Sequence, residues 1–482
     1  MPPLPWVTIL VVLYLAWLVG ASLTILAQRR SPTASLAWIF AFAALPVVSG
    51  AYYAVFGPRR LRRRKLRYGN AREALAREVT DYLRSSRYRD HPVLSPDAAA
   101  VAGVVARLGQ GNPTFATRVE ILEDGDACIE AIARAIDEAR HHVHCEYYIW
   151  EPDRTGTRIR DALAAAAKRG VEVRALHDAV GSSDAGRAFW RPLVEAGGAV
   201  LAFNSLRFSV ASFNFANFRT HRKIVVVDGH TGFLGGNNLH DAVSAAACGH
   251  EAWRDVHVRI VGEPVRRLQR LVLENWVYAG GTVRVDLEAV QRYFPPAEDH
   301  GGQPVQVLAS GPDDENAPIH AFLLAALSTA RTRAWIQTPY LIPDEPLESA
   351  LRVAVLRGVD VQVIVPRKCD SRLVGAASHT YCEALGRAGV RVLEYGPPML
   401  HAKTIVIDDT VAVVGTANMD NRSFRLNFEV AAAFYDPAVI SQLAHRFEAD
   451  RGRAGHFPRR RREGSRVSAL LESLARLFSP VL

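Results

Sequence analysis

His221, Lys223 and Asp228 in HRKIVVVD recur as His401, Lys403 and Asp408 in HAKTIVID, with the same H-x-K-x4-D spacing about 180 positions apart. After six further residues both copies continue alike, as Gly235-Gly236-Asn237-Asn238 and as Gly415-Thr416-Ala417-Asn418. A single His and Lys two positions apart are common on a strand. Two complete copies read instead as a duplicated unit that supplies one histidine and one lysine per half. Paired imidazoles suit covalent and acid–base catalysis, and paired ammonium groups suit an anionic substrate.

This pattern resembles the phospholipase D superfamily, whose members carry two H-x-K-x4-D-x6-G-[GS]-x-N motifs. The stretch GTANMDNRSFRLNFE, from Gly415 to Glu429, is similar to the bacterial cardiolipin synthases of that superfamily, and the resemblance covers nearly the whole chain. Gly236 stands where many members have Ser, while the second copy keeps a hydroxyl at Thr416. The resemblance implies a phosphatidyltransferase that makes cardiolipin and glycerol from two phosphatidylglycerol molecules. It also implies a phosphohistidine on the first-motif histidine, His221, with His401 as acid and base. Family members place an acidic residue some distance past each motif, and the matching positions are Asp255 in WRDVHV and Glu429 in LNFE. A phospholipase D-type hydrolase, or a transphosphatidylase acting on another lipid or alcohol, would use the same residues.

The residue types suit that chemistry. A phosphodiester is an anion that repels an incoming nucleophile, so fixed cations at Lys223 and Lys403 would neutralise it. Asn238 and Asn418 can donate hydrogen bonds to the phosphoryl oxygens. One imidazole can attack phosphorus, which splits a hard displacement into two easier ones. The other must protonate the departing alkoxide and later take a proton from the acceptor alcohol. On the residues alone, either histidine could be the nucleophile. An attacking imidazole must be neutral and in one tautomer, so a carboxylate is expected against its other nitrogen. Asp228 and Asp408 belong to the motifs, and a structural role at the strand end is expected for them. The chain has no H-E-x-x-H, Walker loop or G-x-G-x-x-G, so neither a metal ion nor a cofactor is implied.

Elements to position these residues are legible in both halves. VEIL, VHCEYYIW and VEVRALHD read as strands separated by helices, and VQVLA, AWIQTPYLI and VDVQVIVP repeat that order. The expectation is α/β, with two duplicated domains whose mixed, largely parallel sheets are flanked by helices. They are placed at residues 116–295 and 296–458. The first half carries about twelve extra residues near 204–220, rich in Phe and Arg, either for contact with lipid or for packing on the sheet.

The substrate class agrees with the rest of the chain. Residues 1–28 and 31–58 carry no charged side chain, and each holds an apolar run long enough to span a bilayer. A transmembrane helical hairpin is expected over residues 1–58, at about 5–27 and 34–56, although Pro46 leaves a re-entrant second segment open. Seven basic residues between Arg59 and Arg67 follow, in a juxtamembrane and helical linker at 59–115. The positive-inside rule then puts the catalytic halves in the cytoplasm, which with the resemblance means a multi-pass protein of the bacterial inner membrane. Residues 459–482 read as a basic, amphipathic tail.

The net charge of +9 could suggest nucleic acid, but Arg59–Arg67 and Arg459–Arg462 account for it and leave a nearly neutral body. Those blocks suit an anionic membrane surface, with phospholipid as partner and no nucleic acid. The five cysteines are scattered without a C-x-x-C, which fits buried thiols in a reducing compartment. Nothing in the sequence sets the oligomeric state.

Overall fold

The computed structural model describes residues 5–28, 32–56, 92–204, 218–284, 286–296, 302–458, 474–477 and 479. The basic blocks at 59–67 and 459–462, most of the phenylalanine-rich insertion and most of the tail lie outside these residues. The chain divides into a small N-terminal unit and a large catalytic body, taken separately below.

The N-terminal unit contains helices α1 (Pro5–Leu26), α2 (Pro32–Ala44) and α3 (Pro46–Phe56). The 22 residues of α1 extend about 33 Å, enough to cross a hydrocarbon core. The second crossing expected at 34–56 is not one helix. Pro46 has no N–H and disfavours helix at the residue before it, so the stretch breaks into pieces of 13 and 11 residues. Among the described residues, only Trp6–Leu26 is long and apolar enough to span a membrane. α2 runs back along α1: the Tyr14 hydroxyl donates to the Ala43 carbonyl at 2.7 Å, and Trp17 meets Phe42 edge-on at 5.4 Å.

The body is built on β1 (Thr114–Leu122), β2 (His142–Tyr147), β3 (Glu172–Asp178), β4 (Ala199–Phe203), β5 (Lys223–Val227), β6 (Thr231–Gly235) and β7 (His257–Gly262). The second half supplies β8 (Gln303–Ser310), β9 (Arg333–Gln337), β10 (Leu341–Ile342), β11 (Asp360–Pro366), β12 (Arg391–Tyr395), β13 (Thr404–Ile407), β14 (Val411–Gly415), β15 (Met419–Asp420), β16 (Glu429–Phe434) and β17 (Gly455–His456). β10 and β15 pair as a separate ribbon. Among the described residues the others form one sheet of 15 strands, in the order β17-β12-β11-β9-β13-β14-β16-β8-β1-β7-β6-β5-β2-β3-β4. Read outward from the central β8–β1 pair, the two arms match strand for strand as far as β12 and β4, with β7 opposite β16, β5 opposite β13 and β2 opposite β9, and β17 is added at one edge. The duplication seen in the motifs is therefore a duplication of the fold.

The sheets are mixed, but they are not largely parallel. Within the 15-stranded sheet of the described residues, parallel pairs occur in the outer β2-β3-β4 and β9-β11-β12 units, where helices make the crossovers, and the small β10–β15 ribbon is parallel as well. The inner strands run antiparallel, and short turns join β5 to β6 and β13 to β14. Local signals explain the crossovers. Asp124 and Asp153 cap the helices Gly125–Glu138 and Arg154–Lys168 by accepting from Ala127 N and Gly156 N. Gly170 (φ +90°) and Gly358 (φ +85°) end matching helices in the left-handed region that glycine enters without strain.

The central strands are buried on both faces. Along β14 and β16, Val411, Val413, Ala431 and Ala433 pack against the helices of the second half. The alternate residues Ala412, Val414, Val430 and Ala432 join a core with Ile224, Leu234 and Leu268 of the first. That shared core fixes the two halves to each other, as a site between them requires.

Candidate active site

His221 and His401 each end the loop before β5 and β13, on backbone held by the opposite half. His221 N donates to Phe428 O at 2.9 Å, and Phe428 N donates to Arg219 O at 2.9 Å. His401 N donates to Arg254 O at 2.7 Å, and Arg254 N donates to Met399 O at 2.8 Å. The next residues along the holding segments are Glu429 and Asp255. Each histidine is thereby set beside the other half's carboxylate.

The side chains complete the crossing. His221 Nδ1 lies 3.0 Å from Glu429 Oε2, and His401 Nδ1 lies 2.6 Å from Asp255 Oδ2. Charge from the histidines and lysines, with hydrogen bonds, holds both carboxyls below the usual carboxylate range despite burial. They are therefore ionised acceptors, so Nδ1 carries the proton and the Nε2 lone pair is left for chemistry.

The lysines complete a compact set of buried charges. Lys223 Nζ donates to His221 O at 2.7 Å. Lys403 Nζ donates to His401 O and lies 2.9 Å from His401 Nδ1. Lys223 and Glu429 are fully buried. Burial and the charge of Lys403 push Lys223 down to about 7, and burial pushes Lys403 down to about 8 against the pull of Asp255. Burial takes His221 to about 4, outweighing the favourable charge of Glu429. Burial and Lys403 take His401 to about 3. Between about pH 4 and pH 7, two ammonium groups and two carboxylates balance, and both imidazoles are neutral.

The remaining residues sort by position. Asn238 and Asn418 are buried at 2% and 5% exposure, close behind the motifs. Asn238 Oδ1 accepts from Ile149 N at 3.3 Å, which sets the acceptor end of its amide, while the backbone N–H of Asn418 donates to Ser423 Oγ at 3.1 Å. Asp228 and Asp408 stand apart, at the far ends of β5 and β13. Both take left-handed backbone, φ 52° and 48°. Asp228 accepts from the backbone N–H groups of Arg140, His141 and His142, and Asp408 from those of Arg331, Thr332 and Arg333. Each closes the turn leading into the neighbouring strand.

Several contributors carry no motif signal. Tyr148 packs edge-on to His221 with ring centres 4.9 Å apart, and Trp253 lies 5.1 Å from His401. Arg254 Nε donates to the buried Asp450 at 2.9 Å, which clamps the loop that carries Asp255. The Thr416 hydroxyl donates to Glu429. Its counterpart, Gly236, has no room for one: a Cβ there would lie 1.9 Å from Asp255 Oδ1.

A family model described as "Cardiolipin synthase, PLD-like domain" matches residues 132–266 and 323–451, one segment for each motif. The chain is 37% identical to cardiolipin synthase 1 of Bacillus cereus over 475 residues, which cover 96% of this chain and 92% of that one. The chain belongs to the cardiolipin synthase family. It is 34% identical to the cardiolipin synthase of Geobacillus kaustophilus over 464 residues, covering 96% and 91% of the two chains. Among solved structures, the phosphatidylserine synthase of Haemophilus influenzae has the same fold, with a TM-score of 0.58 at 15% identity. That match covers 79% of this chain and all of the other. The chain is thus a phospholipase D-type phosphatidyltransferase of that family, with both motif halves in one body.

Proposed function

We propose that the enzyme joins two phosphatidylglycerol molecules into cardiolipin and glycerol through a phosphohistidine on His221. The observation that carries this reading is the crossed pair of histidine–carboxylate contacts, each with a buried lysine against its histidine. His221 Nε2 attacks the phosphorus of the first lipid, and the P–O bond to glycerol breaks. His401 gives its proton to the departing alkoxide. The primary hydroxyl of a second phosphatidylglycerol then gives its proton to His401 and attacks the same phosphorus, which frees His221.

Charge accounting explains how His401 serves as an acid although it is neutral in the empty site. The two lysines are already balanced by two carboxylates. A bound phosphodiester adds one negative charge and so favours one added proton beside it. His401, with Asp255 against Nδ1, is suited to take that proton. Lys223, Lys403, Asn238 and Asn418 stabilise the charge that grows on the phosphoryl oxygens.

Purified full-length enzyme with labelled phosphatidylglycerol tests the reaction. Equal amounts of cardiolipin and glycerol are expected. Phosphatidic acid as the main product would make the enzyme a hydrolase instead.

We also place the enzyme in a bilayer through α1, with Pro32–Phe56 as a second, broken segment and the body on the cytoplasmic side. The length and apolarity of α1 and the basic residues after Phe56 support this. Alkaline washing should leave the full chain in the membrane. Release by washing would remove the anchor, and protease access from the outer face would reverse the orientation.

A further inference from the structure

A cavity of about 430 Å³ opens beside His401. Trp253, which packs on the His401 ring, forms one wall, and Met399, two residues before His401, forms part of another. Arg367 and Lys368 line it from the loop after β11. Both are exposed, and Lys368 makes no ion pair among the described residues. Two carboxylates, Asp370 and Glu251, share the cavity. Asp370 accepts from the Tyr340 hydroxyl at 2.6 Å and from Ser371 N at 2.8 Å, and Glu251 lies 3.7 Å from His250. The corresponding loop after β3 offers no such cations: Asp178 leads into Ala179, Val180 and Gly181.

The reaction explains why the two sides would differ. Displacement at phosphorus is in line, so the entering oxygen approaches opposite His221. That is the His401 side, where the entering hydroxyl must also surrender its proton. When the entering alcohol is phosphatidylglycerol, its own phosphodiester follows three carbons behind the reacting hydroxyl. Water and free glycerol carry no such group. A cation just beyond His401 would therefore recognise an acceptor that is itself an anionic lipid.

We propose that this cavity is the acceptor subsite, in which Lys368, with Arg367, binds the phosphodiester of the second phosphatidylglycerol and so selects lipid over water or glycerol. This rests on the two-step reading with His221 as nucleophile. It goes further by naming residues that set the acceptor and take no part in forming the intermediate.

Full-length enzyme in phosphatidylglycerol vesicles with labelled glycerol reports both fates of the intermediate. Return to glycerol gives labelled phosphatidylglycerol, and transfer to lipid gives cardiolipin. For Lys368→Gln, the ratio of cardiolipin formed to glycerol exchanged should fall roughly tenfold or more, the scale of one lost charge-assisted hydrogen bond. Lys368→Glu should lower it further, and the loss should appear as a raised KM for acceptor lipid. Lys368 is exposed, so the fold should tolerate both changes. An unchanged ratio, with both products falling together or neither falling, would overturn the subsite. Wild-type enzyme that forms cardiolipin with no glycerol exchange would overturn the two-step reading, and the subsite with it.

Discussion

His401 Nδ1 lies 2.6 Å from Oδ2 of Asp255, a carboxylate carried by the opposite half of the chain. His221 and Glu429 repeat the arrangement in reverse. Neither half holds a complete histidine–carboxylate pair, so one half alone cannot build the site. The exchange also makes the site sensitive to how β1 and β8 join the two arms.

Asp255→Asn and Glu429→Gln keep the shape of each side chain but can present an amide N–H to Nδ1. The wrong imidazole tautomer then becomes available. We expect kcat to fall by about 10²–10⁴-fold in each, with thermal stability little changed. Near-normal turnover in either variant would mean that its carboxylate does not set the tautomer.

Gly236→Ala is a sharper test of the geometry. A Cβ at 1.9 Å from Asp255 Oδ1 cannot be accommodated unless that carboxylate moves away from His401. We expect at least about 100-fold loss of kcat, the scale of an ångström-sized misplacement of a catalytic group. Gly236→Ser, which restores the residue many relatives have there, should be no better. Wild-type activity in both would show that Asp255 has slack.

The alkaline side of the pH profile should report Lys223. It is charged below about 7 and neutral above, so kcat/KM should fall as pH rises past about 7. Bound phosphodiester favours the charged lysine, so the alkaline limb of kcat should lie higher than that of kcat/KM. Lys403→Met removes the neighbouring charge that depresses Lys223. Activity should drop by about 10²–10³-fold while the alkaline limb moves up. A limb that stays in place would mean that the two lysines do not interact.

The sequence shows the duplicated motifs clearly because each is a contiguous run on one strand, and spacing along a strand is local. Strand and helix order is legible for the same reason. The crossing of Asp255 and Glu429 is not, since it depends on long-range pairing of Arg254 with Leu400 and of Thr220 with Phe428. The excess of antiparallel pairs was hidden too, because β5-β6 and β13-β14 are buried on both faces and read as uniform apolar runs. Pro46 was visible, yet its consequence depends on the strength of the helix around it. The sequence alone gives no reason for Gly236, because the reason is the position of the Asp255 carboxylate, which leaves a side chain no space.

The most direct test of the mechanism is to trap the intermediate. Enzyme mixed briefly with labelled phosphatidylglycerol, quenched without acid and digested, should carry an acid-labile phosphatidyl group on His221. Asp255→Asn should accumulate more of that adduct from a substrate with a good leaving group, because the acceptor step is slowed. The His221→Ala variant should carry none. Label on His401 would reverse the two roles, and cardiolipin formed at full rate with no adduct on either histidine would contradict the covalent mechanism.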